Sequence, residues 1–179
     1  MVITMEENKK SAAEQLKEEL LLDRKNGGLI LSDEELAKSE AFCEGYKQFL
    51  DAGKTEREVV SESVRLLVGR GYQEFVPGTA YAPGDKVYSN NRGKALILAT
   101  IGTEPIQRGV RIAAAHIDSP RLDLKPRPLY EEGQLALFKT HYYGGIKKYQ
   151  WTAIPLALHG VIVKADGVSV QVNVGEDEA

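Results

Sequence analysis

The sequence predicts an α/β layered fold that gives way to a β-rich segment. Three observations carry that expectation. Apolar residues recur at helical spacing from Glu6 to Gly71, the period changes to that of strands after Tyr72, and helical periodicity does not return after Leu122.

The elements follow in order. Between Glu6 and Asn26, Ala12, Ala13, Leu16, Leu20 and Leu21 recur three and four residues apart, and Gly27-Gly28 ends the run. Ser32 opens a second helix, with Glu35 placed for a capping box and Gly53 after the last turn. Its inward stripe is expected to hold Leu36, Phe42, Cys43, Tyr46 and Leu50. Thr55 with Glu58 repeats the capping box for a third helix, lined by Val59, Val60, Val64, Leu67 and Val68 and ended by Gly71.

Residues 86–89 and 94–100 read as strands flanking the turn Asn90-Asn91-Arg92-Gly93. Val110 to Ile117 is a run of apolar and small residues, as in a strand covered on both faces. Pro126 and Pro128 then punctuate the chain. Strands are expected over 135–143, 154–164 and 168–174, the last two joined at Asp166-Gly167. The shift of character places a domain boundary near residues 122–128. The ending, Gly175-Glu-Asp-Glu-Ala179, follows a strand with no closing helix, so the chain reads as cut off.

The bulk numbers narrow the function classes. The chain has 179 residues, with 23 Lys and Arg against 26 Asp and Glu, and no stretch dense enough in basic residues to suggest nucleic acid. The apolar runs are too short to cross a bilayer, and the N-terminus lacks the order of a signal peptide, so no membrane partner and a cytoplasmic location are expected. Cys43 stands alone, which excludes an intrachain disulfide and a thiolate metal cluster.

The chemistry centres on His116 and Asp118. On an extended strand the two side chains project to the same side. A metal-binding imidazole commonly gives its other N–H to a carboxylate, which fixes the tautomer. The alternative is a surface histidine beside a turn at Asp118-Ser119-Pro120. A Ser119–His116–Asp118 hydrolytic triad is rejected, because Ser119 would point away from the other two and Pro120 keeps its backbone extended. His141 and His159 are adequately explained by a turn and by packing. Asp123, between Leu122 and Leu124, is expected to face solvent on a β-segment. Tyr142, Tyr143, Tyr149 and Trp151 suit a ligand platform, a core or an interface.

Three separated blocks carry more than a short motif. They are Ala114-Ala-His-Ile-Asp-Ser-Pro-Arg-Leu-Asp-Leu-Lys-Pro, Thr140-His-Tyr-Tyr-Gly-Gly-Ile-Lys-Lys-Tyr-Gln-Trp and Pro155-Leu-Ala-Leu-His-Gly-Val-Ile. In order and spacing the chain resembles the M18 family of metallo-aminopeptidases, the aspartyl aminopeptidases and their bacterial relatives.

The resemblance implies an α/β fold of a particular kind. It is part of an α/β/α zinc-peptidase catalytic domain over 1–123, followed by the start of an inserted β-rich oligomerisation domain over 124–179. It also implies removal of N-terminal acidic or neutral residues from peptide substrates. The implied cofactor is zinc, two divalent metal ions per complete site. Homo-oligomers are implied, dimers assembling to a dodecamer. His116 matches the family's first metal-ligating histidine. Asp118 matches the catalytic aspartate beside it, which supports that histidine's orientation and charge. The remaining metal ligands and the general base of the family come from later segments without a counterpart in these residues. The chain by itself is therefore expected to be inactive, and a non-catalytic assembly or interaction module is the alternative.

Overall fold

The structure, a computed structural model, describes residues 10–22 and 24–176. The chain divides into two compact units, Met1–Gly45 and Tyr46–Ala179.

In the first unit the leading helix is shorter than its periodicity suggests. Ser11 starts α1 (Ala12–Leu20) with a complete capping box: its side chain accepts the Glu14 N–H, and the Glu14 carboxylate accepts the Ser11 N–H. At Leu21 the backbone turns extended and the helix stops. The expected start at Glu6 lies outside the described residues. A short 3-10 turn, Gly27–Leu29, is capped by Asn26.

Ser32 and Glu35 form the second capping box as expected and start α2 (Asp33–Ala52). The stripe read as inward is uncovered: no residue of α2 is buried, and Phe42 is 74% exposed. Periodicity identifies the helix face that requires cover, whereas burial depends on what packs there.

The second unit is built on α3 (Glu56–Val68). Thr55 and Glu58 close the third capping box, with the Glu58 carboxylate 2.8 Å from the Thr55 nitrogen. The helix ends in a Schellman arrangement, Tyr72 N–H to Leu67 O and Gly71 N–H to Val68 O. Val60 and Leu67 are buried on its inner face. With Val87 they are the buried hydrophobic residues among those described. Thr55→Ala is expected to cost about 1 kcal/mol through loss of the cap, read as a lower urea midpoint at unchanged slope.

The first sheet has the order β1-β2-β3: β1 (Gln73–Glu74) pairs parallel with β2 (Lys86–Asn91), which pairs antiparallel with β3 (Ala95–Thr100). Strands β2 and β3 match the sequence expectation, whereas the two-residue β1 is too short to show a period. The β2–β3 turn has positive φ at Arg92 (58°) and Gly93 (67°), as the primed hairpin turns require. The Asn90 side chain fixes it by accepting the Gly93 N–H.

The buried strand expected at Val110–Ile117 is not formed. Residues 109–120 pair with no strand, and Val110 and Ile112 are 61% and 82% exposed. An apolar sequence becomes a strand only when a neighbour takes up its N–H and C=O groups. Among the described residues none does.

The proline-punctuated stretch that follows, expected as a β-segment only around Asp123, is a strand throughout. β4 (Arg121–Glu132) pairs antiparallel with β5 (Leu135–Tyr143), with a register irregularity between Leu124 and Leu129. Pro126 and Pro128 fall in that interval, where a residue without an N–H breaks no ladder bond. One helical turn, α4 (Lys148–Trp151), corrects the expectation that no helix returns. The last hairpin joins β6 (Leu158–Val163) to β7 (Ser169–Val174) through the expected Asp166-Gly167 turn, while residues 154–157 stay outside the strand.

Candidate metal site at His116 and Asp118

His116 and Asp118 meet, though without the strand alternation expected to bring them together. The unpaired backbone ahead of β4 lets the His116 ring reach two acceptors of one residue. Its Nδ1 lies 2.9 Å from the Asp118 carbonyl oxygen and 3.2 Å from carboxylate Oδ1. Both partners only accept, so Nδ1 carries the proton. In the neutral ring Nε2 then keeps its lone pair, and this is the tautomer that suits a metal bound through Nε2. The His116 side chain is 82% exposed, which leaves Nε2 open to a ligand.

Asp118 is itself held. The Tyr143 phenol beside its carboxylate, the Asp118 backbone N–H and the neighbouring imidazole all favour the ionised form and lower its pKa. Asp118 is therefore a carboxylate at neutral pH. The same neighbour raises the Tyr143 pKa, because the Asp118 carboxylate favours a phenol that keeps its proton.

Tyr143 ends β5 and pairs with Arg121, which begins β4. The Arg121 guanidinium stacks 4.3 Å over the Tyr143 ring. Its Nε bonds Asp123 at 2.7 Å and its Nη1 bonds Glu56 at 3.1 Å, tying the site to α3. Asp123, expected to face solvent, has a side chain 44% exposed and also pairs with Arg121. Gly144 follows directly, and a Cβ there would meet Pro120 Cα at 3.3 Å. Glycine at 144 allows this close approach, beside the Asp118–Tyr143 contact. Changing Asp118 to Asn should lower the Tyr143 pKa toward the ordinary value of about 10. NMR of ring-labelled tyrosine across alkaline pH measures it, and an unmoved Tyr143 would show that the two groups do not interact in solution.

Sequence reasoning missed Arg121, Glu56 and the role of Tyr143, which was weighed only as part of an aromatic group. Arg121-x-Asp123 on one strand face was the one local signal; the rest depends on the β4–β5 register. Ser119 joins through its backbone, its carbonyl accepting from Arg121. His141 stacks on Tyr142 with ring centroids 5.5 Å apart, and His159 lies between Glu58 and Glu176.

The donor chemistry fits a metal at His116 as one ligand with its carboxylate partner. Among the described residues no group of three or more His, Cys, Asp or Glu able to hold a metal forms.

Residues 49–178 match the family model of the aminopeptidase I zinc metalloproteases, M18. The chain belongs to the M18 aminopeptidase family. It is 51% identical over 164 residues to a probable M18 family aminopeptidase 1 of Clostridium acetobutylicum, covering 89% of this chain and 35% of that protein. The corresponding protein of Thermotoga maritima is 46% identical, with 87% and 34% covered. The crystal structure of aminopeptidase I from Borrelia burgdorferi superposes with a TM-score of 0.81 at 40% identity, covering 86% of this chain and 38% of that one. That of the Clostridium acetobutylicum enzyme gives 0.75 at 49% identity, covering 89% and 36%. This M18 chain thus spans about a third of the length of the curated relatives it matches.

Proposed function

We propose that this chain is the portion of an M18 zinc aminopeptidase that supplies His116 as a metal ligand and Asp118 as its positioning carboxylate. The complete enzyme removes acidic or neutral N-terminal residues from peptides. The observation that carries the reading is the His116 Nδ1 directed at the Asp118 carbonyl and carboxylate, on an exposed side chain, in a chain of a zinc metalloprotease family.

Two zinc ions per complete site would polarise the scissile carbonyl and supply a water nucleophile at neutral pH. Within this chain Asp118 holds the Nδ1 proton of His116 and adds negative charge behind the ring. Tyr143 favours the ionised Asp118, and Arg121 stacks on the Tyr143 ring. The other ligands and the base come from outside these residues. The division into a catalytic part over 1–123 and a β-rich assembly part over 124–179 belongs to the same proposal. Its support is the order of elements, with three helices and a mixed sheet first and two antiparallel hairpins after them. Homo-oligomers, dimers assembling to a dodecamer, and a cytoplasmic location complete it; sedimentation and cell fractionation test these.

A non-catalytic interaction module is the second reading, favoured by uncovered apolar residues such as Ile97 and Ile112, 71% and 82% exposed. Intact mass and metal content of the purified chain separate the two, followed by co-production with the region of a relative that lies beyond the match. Zinc uptake and release of N-terminal residues only in the complemented sample support the peptidase reading. A complex that assembles without zinc or turnover supports the module.

A further inference from the structure

The imidazole of His159 is bonded on both sides by carboxylates from different parts of the second unit. Its Nδ1 is 2.8 Å from Glu58 Oε1 in the first turn of α3, and its Nε2 is 2.7 Å from Glu176 Oε1, just past β7. The side chain is 10% exposed, against 82% for His116. Glu58 is fully engaged: its other oxygen accepts the Thr55 N–H and hydroxyl at 2.8 and 3.0 Å. His159 pairs with Asn173 next to the open end of the β6–β7 hairpin, where Leu158 faces Val174. One ring therefore joins the capping box of a helix, a strand and the segment that leaves the neighbouring strand.

Two acceptors facing two ring nitrogens require two N–H donors, so the fully bonded form is the imidazolium. A neutral ring would turn one lone pair toward a carboxylate oxygen and lose that bond. We propose that His159 is a proton-operated latch that fastens the open end of the β6–β7 hairpin to the first turn of α3 while charged, and releases it on losing its proton.

The charged groups facing the ring are Glu58 from α3 and Glu176 from the segment after β7. Burial alone would lower the His159 pKa, but the bonds and charges of these carboxylates outweigh it and raise the pKa. At Glu58 burial pushes upward and is outweighed by the bonds from His159 and Thr55, so its pKa is lowered. The signs define a window. The His159 contribution is full below the unfolded histidine value of about 6.5 and is lost as pH rises through the raised folded value. The Glu58 contribution is present above the unfolded carboxylate value and is lost as pH falls through the lowered folded one. The latch is closed between those limits.

The test uses the 179-residue chain with Cys43→Ser and spin labels at Ser61→Cys on α3 and Ser169→Cys on β7, both exposed positions. Pulsed electron-resonance distances across pH should give one short, narrow population below the His159 midpoint and a longer, broader one above it. Nitrogen NMR of the His159 ring should show both nitrogens protonated below the same midpoint. Glu176→Gln should move the midpoint down, and His159→Gln should abolish the pH dependence. If His159→Gln fails to fold, Glu176→Gln and the ring spectrum still decide. A distance that does not change with pH, or a ring that is neutral in the closed form, overturns the latch.

Discussion

His116→Ala in the complemented enzyme is expected to weaken zinc binding and peptide turnover together. A complete four-ligand zinc site is worth about 12 kcal/mol, so one imidazole carries about 3 kcal/mol of it. That corresponds to roughly hundredfold weaker zinc at the affected position. Asp118→Asn leaves the ligand but removes its ionic support, and should cost about 10–100-fold in metal affinity or activity. His141→Ala is the control, because that ring stacks on Tyr142. Zinc titration with a competing chelator and release of N-terminal residues measure all three. A His116→Ala protein that retains both zinc and activity would contradict the ligand assignment.

Leu67→Ala carries the second large effect, this time on stability. Leu67 is 9% exposed and shares the buried core with Val60 and Val87. Truncating a buried leucine costs about 2–5 kcal/mol, a large share of the roughly 5–15 kcal/mol that holds a domain folded. With so few buried neighbours, α3 and the first sheet should lose cooperative unfolding together. Val68→Ala is the contrast: Val68 is the next residue on the helix but is 57% exposed, and should stay within about 0.5 kcal/mol of the parent. Urea titration followed by circular dichroism distinguishes them. Equal effects would place the core elsewhere.

What was legible in the sequence was mostly local. The capping boxes at Ser32–Glu35 and Thr55–Glu58 are written in residues three apart, and both form as read. The β2–β3 and β6–β7 hairpins follow from alternation and turn residues, and the α/β class with M18 membership agrees with the superposed crystal structures. What was misread depends on partners distant in the chain. Val110–Ile117 has the composition of a buried strand, but composition does not supply a neighbouring strand. Pro126 and Pro128 looked like a break because the interval that tolerates them exists only through pairing with β5. The same limit applied at the site. His116 and Asp118 were visible as a pair, whereas Tyr143 joins them only through a register that places it opposite Arg121. His159 looked like a packing residue because its partners Glu58 and Glu176 are remote in sequence.

Anomalous diffraction at the zinc edge on crystals of the complemented enzyme tests the central assignment most directly. Zinc is expected bonded to Nε2 of His116, with Nδ1 still directed at Asp118. Zinc bound with His116 outside its coordination shell, or bound through Nδ1 with the Asp118 contact broken, would contradict it.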